Sequence, residues 1–217
     1  MTLIAGVDEA GRGPVIGPMV MVGVKIDKED EAKLEAMGVK DSKKIAPLKR
    51  ERLFDEIKLI AKDIKIIIIE PDVVDFYVES ENKNINWLEA DKTVEIINKL
   101  DAEIAYIDCP SNNIAAYTNY LRTKLTVKTK LKVEHKADDK YLVAGAASII
   151  AKVTRDREIE AIKHEIGENF GSGYPSDPTT KKFLESNWEK YPKIFRHSWE
   201  TYKKVSTKKS QSKLGEF

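Results

Sequence analysis

Cysteine is almost missing from this chain. Among 217 residues there is one, Cys109, so no internal disulfide can form and a reducing, cytoplasmic setting is expected. Histidine is sparse, with three residues, and none falls in the clustered His/Cys spacing that zinc sites need. Glutamine occurs once, as Gln211. No apolar run approaches the ~20 residues of a membrane span. The chain opens on an apolar stretch without the basic region of a signal peptide. A strong net charge is also lacking. Lys and Arg number 37 against 36 Asp and Glu, leaving +1, so only a local basic face could announce a nucleic-acid partner. What is abundant is charge of both signs, 34% of residues against 41% hydrophobic. That is an ordinary globular balance, long enough for one domain with a real core and a small appendage. The weighting towards Lys, Glu and Ile leans towards a heat-adapted protein.

Periodicity lays out a mixed order of elements. Residues 3–7 read as a short buried strand and 19–24 as a second, linked closely enough to pair antiparallel. A short helix is expected within 27–35. A polar loop, 39–44, then precedes a helix started by Pro47, with Leu53, Phe54, Ile57, Ile60 and Ala61 on one face. Residues 64–69 form a nearly unbroken aliphatic run, expected to be a strand buried on both faces. Helices over 72–80 and 86–100, a strand over 104–110, a helix over 112–125 and an alternating strand over 131–135 follow. A long helix is expected within 138–166. Its small residues, Ala144 to Ser148, let it lie close against a sheet, and Gly145, which costs about 1 kcal/mol against Ala there, points to close approach. Helices are expected over 179–190 and 197–205, and a lysine-rich flexible tail over 206–217. No internal repeat is present. Strands interleaved with helices in this way argue for an α/β fold, a mixed sheet flanked by helices.

The stretch that organises the rest is Ala5-Gly6-Val7-Asp8-Glu9-Ala10-Gly11-Arg12-Gly13-Pro14. Burying Asp8 and Glu9 at the end of a core strand is costly unless something pairs them, and a divalent metal would do so. Gly11 and Gly13 let backbone approach a ligand, and Arg12 offers a planar fork for phosphate. Alone, a strand running into Asp, Glu and Gly is more often a polar turn. Two further acids stand at element ends: Asp108 closes the fourth strand and Asp138 the approach to the long helix. Read singly, these are a strand-end turn and a helix N-cap. Read together, they sit where ligands collect in open α/β sheets. Carboxylates packed there raise one another's pKa, and one or two Mg²⁺ ions would remove the conflict. Two such ions can clamp an in-line displacement at phosphorus.

In order along the chain, further stretches join this one: Asp41-Ser42-Lys43-Lys44, Tyr106-Ile107-Asp108, Lys136-Ala137-Asp138-Asp139-Lys140-Tyr141, Ala146-Ala147-Ser148-Ile149-Ile150-Ala151-Lys152-Val153-Thr154-Arg155-Asp156, Gly171-Ser172-Gly173-Tyr174-Pro175-Ser176-Asp177-Pro178 and Arg196-His197-Ser198-Trp199. Together they resemble type 2 ribonucleases H (ribonuclease HII), most closely an archaeal member, over about residues 3–205. The resemblance implies a ribonuclease H-like fold: a five-stranded mixed sheet flanked by helices over 1–167, and a helical C-terminal extension over 168–205. It implies a Mg²⁺- or Mn²⁺-dependent endonuclease that cleaves RNA in RNA–DNA hybrids. The enzyme would also incise 5′ to ribonucleotides embedded in duplex DNA, leaving 3′-hydroxyl and 5′-phosphate ends. By motif position, Asp8, Glu9, Asp108 and Asp138 would be the catalytic metal ligands. Only the motif separates Asp138 from Asp139. Gly11, Arg12 and Gly13 would read the ribose 2′-hydroxyl, which separates RNA from DNA. Tyr174 would stack at the junction sugar, and Ser42 and Lys43 would hold phosphate.

Other residues read more plainly. His135 is expected to be structural or phosphate-facing, His197 to pack or line the substrate groove, His164 to be solvated and Cys109 to be core. Lysines 124, 128, 130, 132, 136 and 140, with Arg122, form either a solvated face or a duplex-binding patch. Gln211, Leu214 and Phe217 have the spacing of a sliding-clamp peptide, against the alternative of a plain solubilising tail. A monomer is expected. The rival readings are another nuclease of the same fold (a junction resolvase or type 3 ribonuclease H), a non-catalytic nucleic-acid-binding domain, and a phosphotransferase. The Gly-Arg-Gly loop and Tyr174 speak against the first and the full set of acids against the second. The third lacks the Gly-Lys-Ser/Thr ending of a P-loop.

Overall fold

Five strands form one mixed sheet in a computed structural model that describes residues 2–39 and 45–214. They are β1 (Leu3–Ala10), β2 (Met19–Asp27), β3 (Asp63–Ile69), β4 (Ile104–Asp108) and β5 (Lys130–Glu134), in the order β3-β2-β1-β4-β5. β1 runs antiparallel to β2 and parallel to β4, and β4 runs parallel to β5. The helices are α1 (Glu31–Met37), α2 (Pro47–Ile60), α3 (Pro71–Glu79), α4 (Ile85–Leu100), α5 (Ile114–Lys124), α6 (Ala137–Lys140), α7 (Leu142–Ile166), α8 (Pro178–Asn187) and α9 (Glu200–Leu214). The α/β architecture expected from the sequence, a five-stranded mixed sheet with flanking helices and a helical C-terminal part, is the one found. Among the described residues, no helix is long and apolar enough to cross a membrane.

The chain gathers into two compact units. The first comprises Met1–Ala10, Val20–Ile68 and Asn86–Thr154, and the second Gly11–Met19, Ile69–Ile85 and Arg155–Phe217. In the first, alternate residues of β1 and β2 face opposite sides of the sheet. Ile4, Val20, Val22, Val24 and Ile26 join Leu53, Phe54 and Ile57 of α2 and Val143, Ala147 and Ile150 of α7 in one buried cluster. On the other face α4 closes in, and a Cβ on Gly23 would stand 2.2 Å from Ile96 Cγ2.

Gly6 sets how closely α7 can approach. A Cβ there would lie 2.2 Å from the Val143 carbonyl oxygen and 2.4 Å from Ala144 N. Both are helix backbone, which cannot swing aside. Gly6→Ala is therefore expected to cost at least about 3 kcal/mol, beyond the usual range for overpacking by one methyl. Calorimetry would check this, and an unchanged melting temperature would refute the contact. Gly145, on α7, is tight as well: a Cβ would meet Asp138 O and Val39 Cγ1, each at 3.2 Å.

One expectation needs correction. β3 is not buried on both faces. It stands at the sheet edge with Ile66 and Ile68 37% and 41% exposed, and only Ile69 is fully covered. An aliphatic run reports apolarity, and sheet position decides how much of it is covered. The long helix expected within 138–166 is α7, which the extended Tyr141 (φ −118°, ψ 121°) sets apart from the short α6. α9 continues through Leu214.

The second unit has its own core, in which Val15, Ile16, Ile159, Phe170, Phe183, Leu184, Phe195 and Tyr202 are buried together. Residues 15–17 are held to two other segments: Val15 N donates to Gly173 O (2.8 Å), Gly17 N to Ile194 O (2.8 Å), and Arg196 N to Val15 O (2.9 Å).

Candidate active site

The acids of the first unit are brought together by strand register. Val7 pairs with Ile107, so the next residues, Asp8 and Asp108, leave parallel neighbouring strands at the same end of the sheet. Asp8, Glu9 and Asp108 each offer a carboxylate oxygen, and these oxygens lie within 4.8 Å of one another. Asp8 is 6% exposed, while Glu9 and Asp108 are half-buried. Asp108 Oδ1 also accepts from Ala137 N (2.9 Å), at the start of α6. That short helix follows Lys136, which is left-handed (φ 57°). It buries Asp138 and exposes Asp139, so the two adjacent acids differ sharply in what they can face.

Burial, first of all, holds the Asp8 carboxyl well above the usual carboxylate range. The charges of Glu9, Asp108 and Asp138 push the same way, and a hydrogen bond from Ser148 opposes them. Ser148 lies on α7, fully buried, and its Oγ accepts from Lys152 Nζ at 2.7 Å. Converging carboxylate oxygens with a buried, reluctantly ionised member are the donor set that a hard divalent cation suits. A bound dication removes the repulsion that raises the Asp8 pKa. The residues present therefore fit the metal that the sequence implies.

The second unit holds the glycine loop and Tyr174. Gly11 is left-handed (φ 79°), and a Cβ there would strike Pro18 O at 2.8 Å. The loop carbonyls converge on the Arg196 guanidinium. Nη1 donates to Arg12 O (2.8 Å), Nη2 to Gly11 O (2.6 Å) and Gly17 O (3.0 Å), and Nε to Gly17 O (3.1 Å). Burial pushes this guanidinium down to about 10, still charged at neutral pH. Trp199 Nε1 donates to Gly13 O (3.0 Å). Gly13 is exposed, and a Cβ there would lie 3.7 Å from the Tyr174 ring. Tyr174 in turn rests on Arg155, whose guanidinium carbon is 5.2 Å from the ring centroid and whose Nη2 donates to Ser172 O (2.6 Å). A groove of about 460 Å³ beside the loop is lined by Arg12, Gly13, Val78, Ile85, Trp199 and Glu200, among others.

The Tyr174 loop is pinned by Asp177, which accepts from Ser172 N (2.7 Å), Ser172 Oγ (2.8 Å) and Thr179 N (2.8 Å). These bonds favour its ionised form and lower its pKa from 3.8 to about 2. A depressed carboxylate stabilises the fold above its unfolded pKa, and the contribution is lost as pH falls through the folded value. The loop should thus hold its form down to about pH 4 and loosen between there and about pH 2. Tyr174 ring signals in NMR would follow this, and Asp177→Asn should show the loosened state at neutral pH.

Sequence reasoning left Ser148, Lys152, Arg155 and Arg196 without roles, although each stands inside a quoted stretch. A serine in an alanine-rich helix and an arginine in a short motif carry no mark of burial, and only the fold supplies it. Cys109 is buried and its thiol is pushed up by burial. His164 is exposed, and His135 Nδ1 donates to Cys109 O (2.9 Å). His197 stacks on Tyr202 with ring centroids 4.3 Å apart. Of the crowded lysines, Lys124 is engaged by Asp91 and Lys140 by Glu134, while Lys132 lies over the Tyr106 ring, which leaves less of a free basic patch. Asp41, Ser42, Lys43, Lys44 and Phe217 lie outside the described residues. Gln211 and Leu214 fall within α9.

Carboxylates gathered at the ends of β1 and β4, on a sheet of this order, define a nuclease-type site on a ribonuclease H-like fold. Comparison with known proteins narrows the class. Residues 5–202 match the family profile described as Ribonuclease HII. A Ribonuclease HII from Pyrococcus abyssi is 44% identical over 216 residues, covering 97% of this chain and 94% of the relative. The crystal structure of ribonuclease H2 from Pyrococcus horikoshii superposes with a TM-score of 0.87 at 42% identity, covering 95% and 98% of the two chains. Ribonuclease HII solved in a PCNA complex from Archaeoglobus fulgidus has a TM-score of 0.81 at 40% identity, covering 93% and 96%. The chain belongs to the ribonuclease HII family and is a type 2 ribonuclease H, an endonuclease.

Proposed function

We propose that this chain hydrolyses the RNA strand of RNA–DNA hybrids and incises 5′ to ribonucleotides embedded in duplex DNA, leaving 3′-hydroxyl and 5′-phosphate ends. The observation that carries the reading is the convergence of Asp8, Glu9 and Asp108 oxygens within 4.8 Å. Together with Asp138, these residues would hold one or two Mg²⁺ or Mn²⁺ ions. Bound there, the ions supply the charge neutralisation and water activation that in-line displacement at phosphorus requires. The protein's part is to fix the carboxylates before substrate arrives, through Ser148 on Asp8 and Ala137 N on Asp108. In the second unit, Gly11, Arg12 and Gly13 would meet the ribose 2′-hydroxyl. The Arg196 bonds take up the Gly11 and Arg12 carbonyls and hold the loop in shape. Tyr174, 39% exposed on its arginine support, offers a flat face to the junction sugar. Ser42 and Lys43 would hold phosphate.

Phosphate contacts carry no sequence information, so cleavage should show little sequence preference and weaken with salt. A cytoplasmic setting is in keeping with the lone buried cysteine, and the chain would act as a monomer. The A. fulgidus relative solved with PCNA supports reading Gln211, Leu214 and Phe217 as a sliding-clamp peptide; unchanged clamp binding after removal of residues 211–217 would end that reading. The deciding experiment compares two duplexes in Mg²⁺, one all DNA and one carrying a single ribonucleotide. A cut only at the 5′ side of the ribonucleotide is expected. Equal cutting of both would discard the 2′-hydroxyl readout, and binding without cutting would leave only a binding domain.

A further inference from the structure

α7 carries a lysine bonded to a serine that itself bonds the acid cluster. Lys152 Nζ donates to Ser148 Oγ at 2.7 Å, one helical turn back, and the Ser148 hydroxyl bonds the buried Asp8 carboxylate. With Asp8 ionised, as it would be on a bound cation, the direction of each bond is fixed. An ammonium has only donors, and a serine hydroxyl has one proton and two acceptor lone pairs. Lys152 must therefore give, and Ser148 has its single proton for Asp8. A buried serine in a helix has a competing choice, the carbonyl four residues back, here that of Ala144. A positive donor on the serine oxygen polarises the hydroxyl and strengthens the bond it makes to an anion.

We propose that Lys152 and Ser148 form a positioning relay for Asp8: the lysine fixes the serine hydroxyl, and the serine fixes the rotation of the carboxylate so that it meets a divalent cation ready-oriented. The proposal rests on the metal-site reading above. Lys152 is a positioning residue, placed to act on Asp8 through Ser148. A relay of this kind has a signature that two independent supports lack: breaking either link breaks the whole.

The test is a double-mutant cycle on the full chain, read by calorimetric titration of Mn²⁺ into nucleic-acid-free protein. Asp8→Asn should abolish Mn²⁺ binding, while Ser148→Ala and Lys152→Met should each weaken it about tenfold, the usual scale for a group that orients a metal ligand. The double variant should also be about tenfold weaker, not about a hundredfold, because its two changes remove one interaction. Lys152→Gln, which keeps an N–H donor without the charge, should recover much of the loss, and it serves as the second variant should Lys152→Met fail to fold. An affinity within about twofold of wild type in Lys152→Met, or losses that multiply in the double variant, would overturn the relay while leaving the metal site intact. A lowered melting temperature with unchanged Mn²⁺ affinity would likewise reduce Lys152 to a packing role. Failure of the wild type itself to bind Mn²⁺ would remove the metal-site reading and the relay with it.

Discussion

Asp8→Asn should abolish cleavage and, in metal-free buffer at pH 7, raise the melting temperature. The loss of activity should be on the order of a thousandfold or more, since an ion held at this site would contribute several kcal/mol to the transition state. The gain in stability follows from the raised Asp8 pKa. Between the ordinary carboxylate value and the raised one, the folded chain keeps a proton that the unfolded chain has released. Stability is then fullest below the ordinary value and falls as pH climbs through the folded one. An amide cannot ionise, so the variant escapes that loss. The two proteins should converge towards pH 4. Saturating Mg²⁺ should reverse their order, because only the wild type gains from binding. Calorimetry with EDTA and with Mg²⁺, at both pH values, reads all of this. Equal melting temperatures in EDTA at pH 7 would mean that the acid cluster does not oppose folding.

The second large effect is expected at Arg196. Arg196→Met leaves the carbonyls of Gly11, Arg12 and Gly17 without their buried donor. Orphaned buried acceptors cost about 1–3 kcal/mol each, so a total near 4 kcal/mol is expected. At this chain length that is a fall of about 10 °C. Arg196→Lys should recover little, because a point charge cannot span carbonyls that a planar fork meets together. The loop that Arg196 braces would lose its shape, so the preference for a ribonucleotide-bearing duplex over plain DNA should shrink. Mn²⁺ affinity at Asp8, Glu9 and Asp108 should stay near wild type, which separates a braced reading loop from general unfolding. Selectivity preserved despite the drop in stability would show that the loop holds itself.

How far the sequence spoke depended on what kind of information each feature needs. Strand and helix periods were enough for the sheet and its covering helices, because alternation and the 3.6-residue repeat are local. The acids drew notice because several element ends carried one and the motifs around them matched a family; each alone reads as a polar turn or a cap. Asp138 against Asp139 could not be separated locally: that choice hangs on the left-handed Lys136 and the short α6, which turn one carboxylate inward. The same limit hid the edge position of β3 and the break at Tyr141. It also hid Arg196, an arginine that reads as surface until three loop carbonyls are found around it.

The contact at Gly6 has a bearing on how such a chain drifts over generations. Gly6 is held by sterics alone, since any side chain would collide with the α7 backbone. A descendant that had lost its chemistry would still be bound to keep that glycine. Asp8, two residues on, is in the opposite position: buried and reluctantly ionised, it makes the unliganded fold worse. Folding alone gives no reason to keep it. The two residues therefore report different histories from one short stretch. The glycine answers to the fold, and the aspartate only to the chemistry.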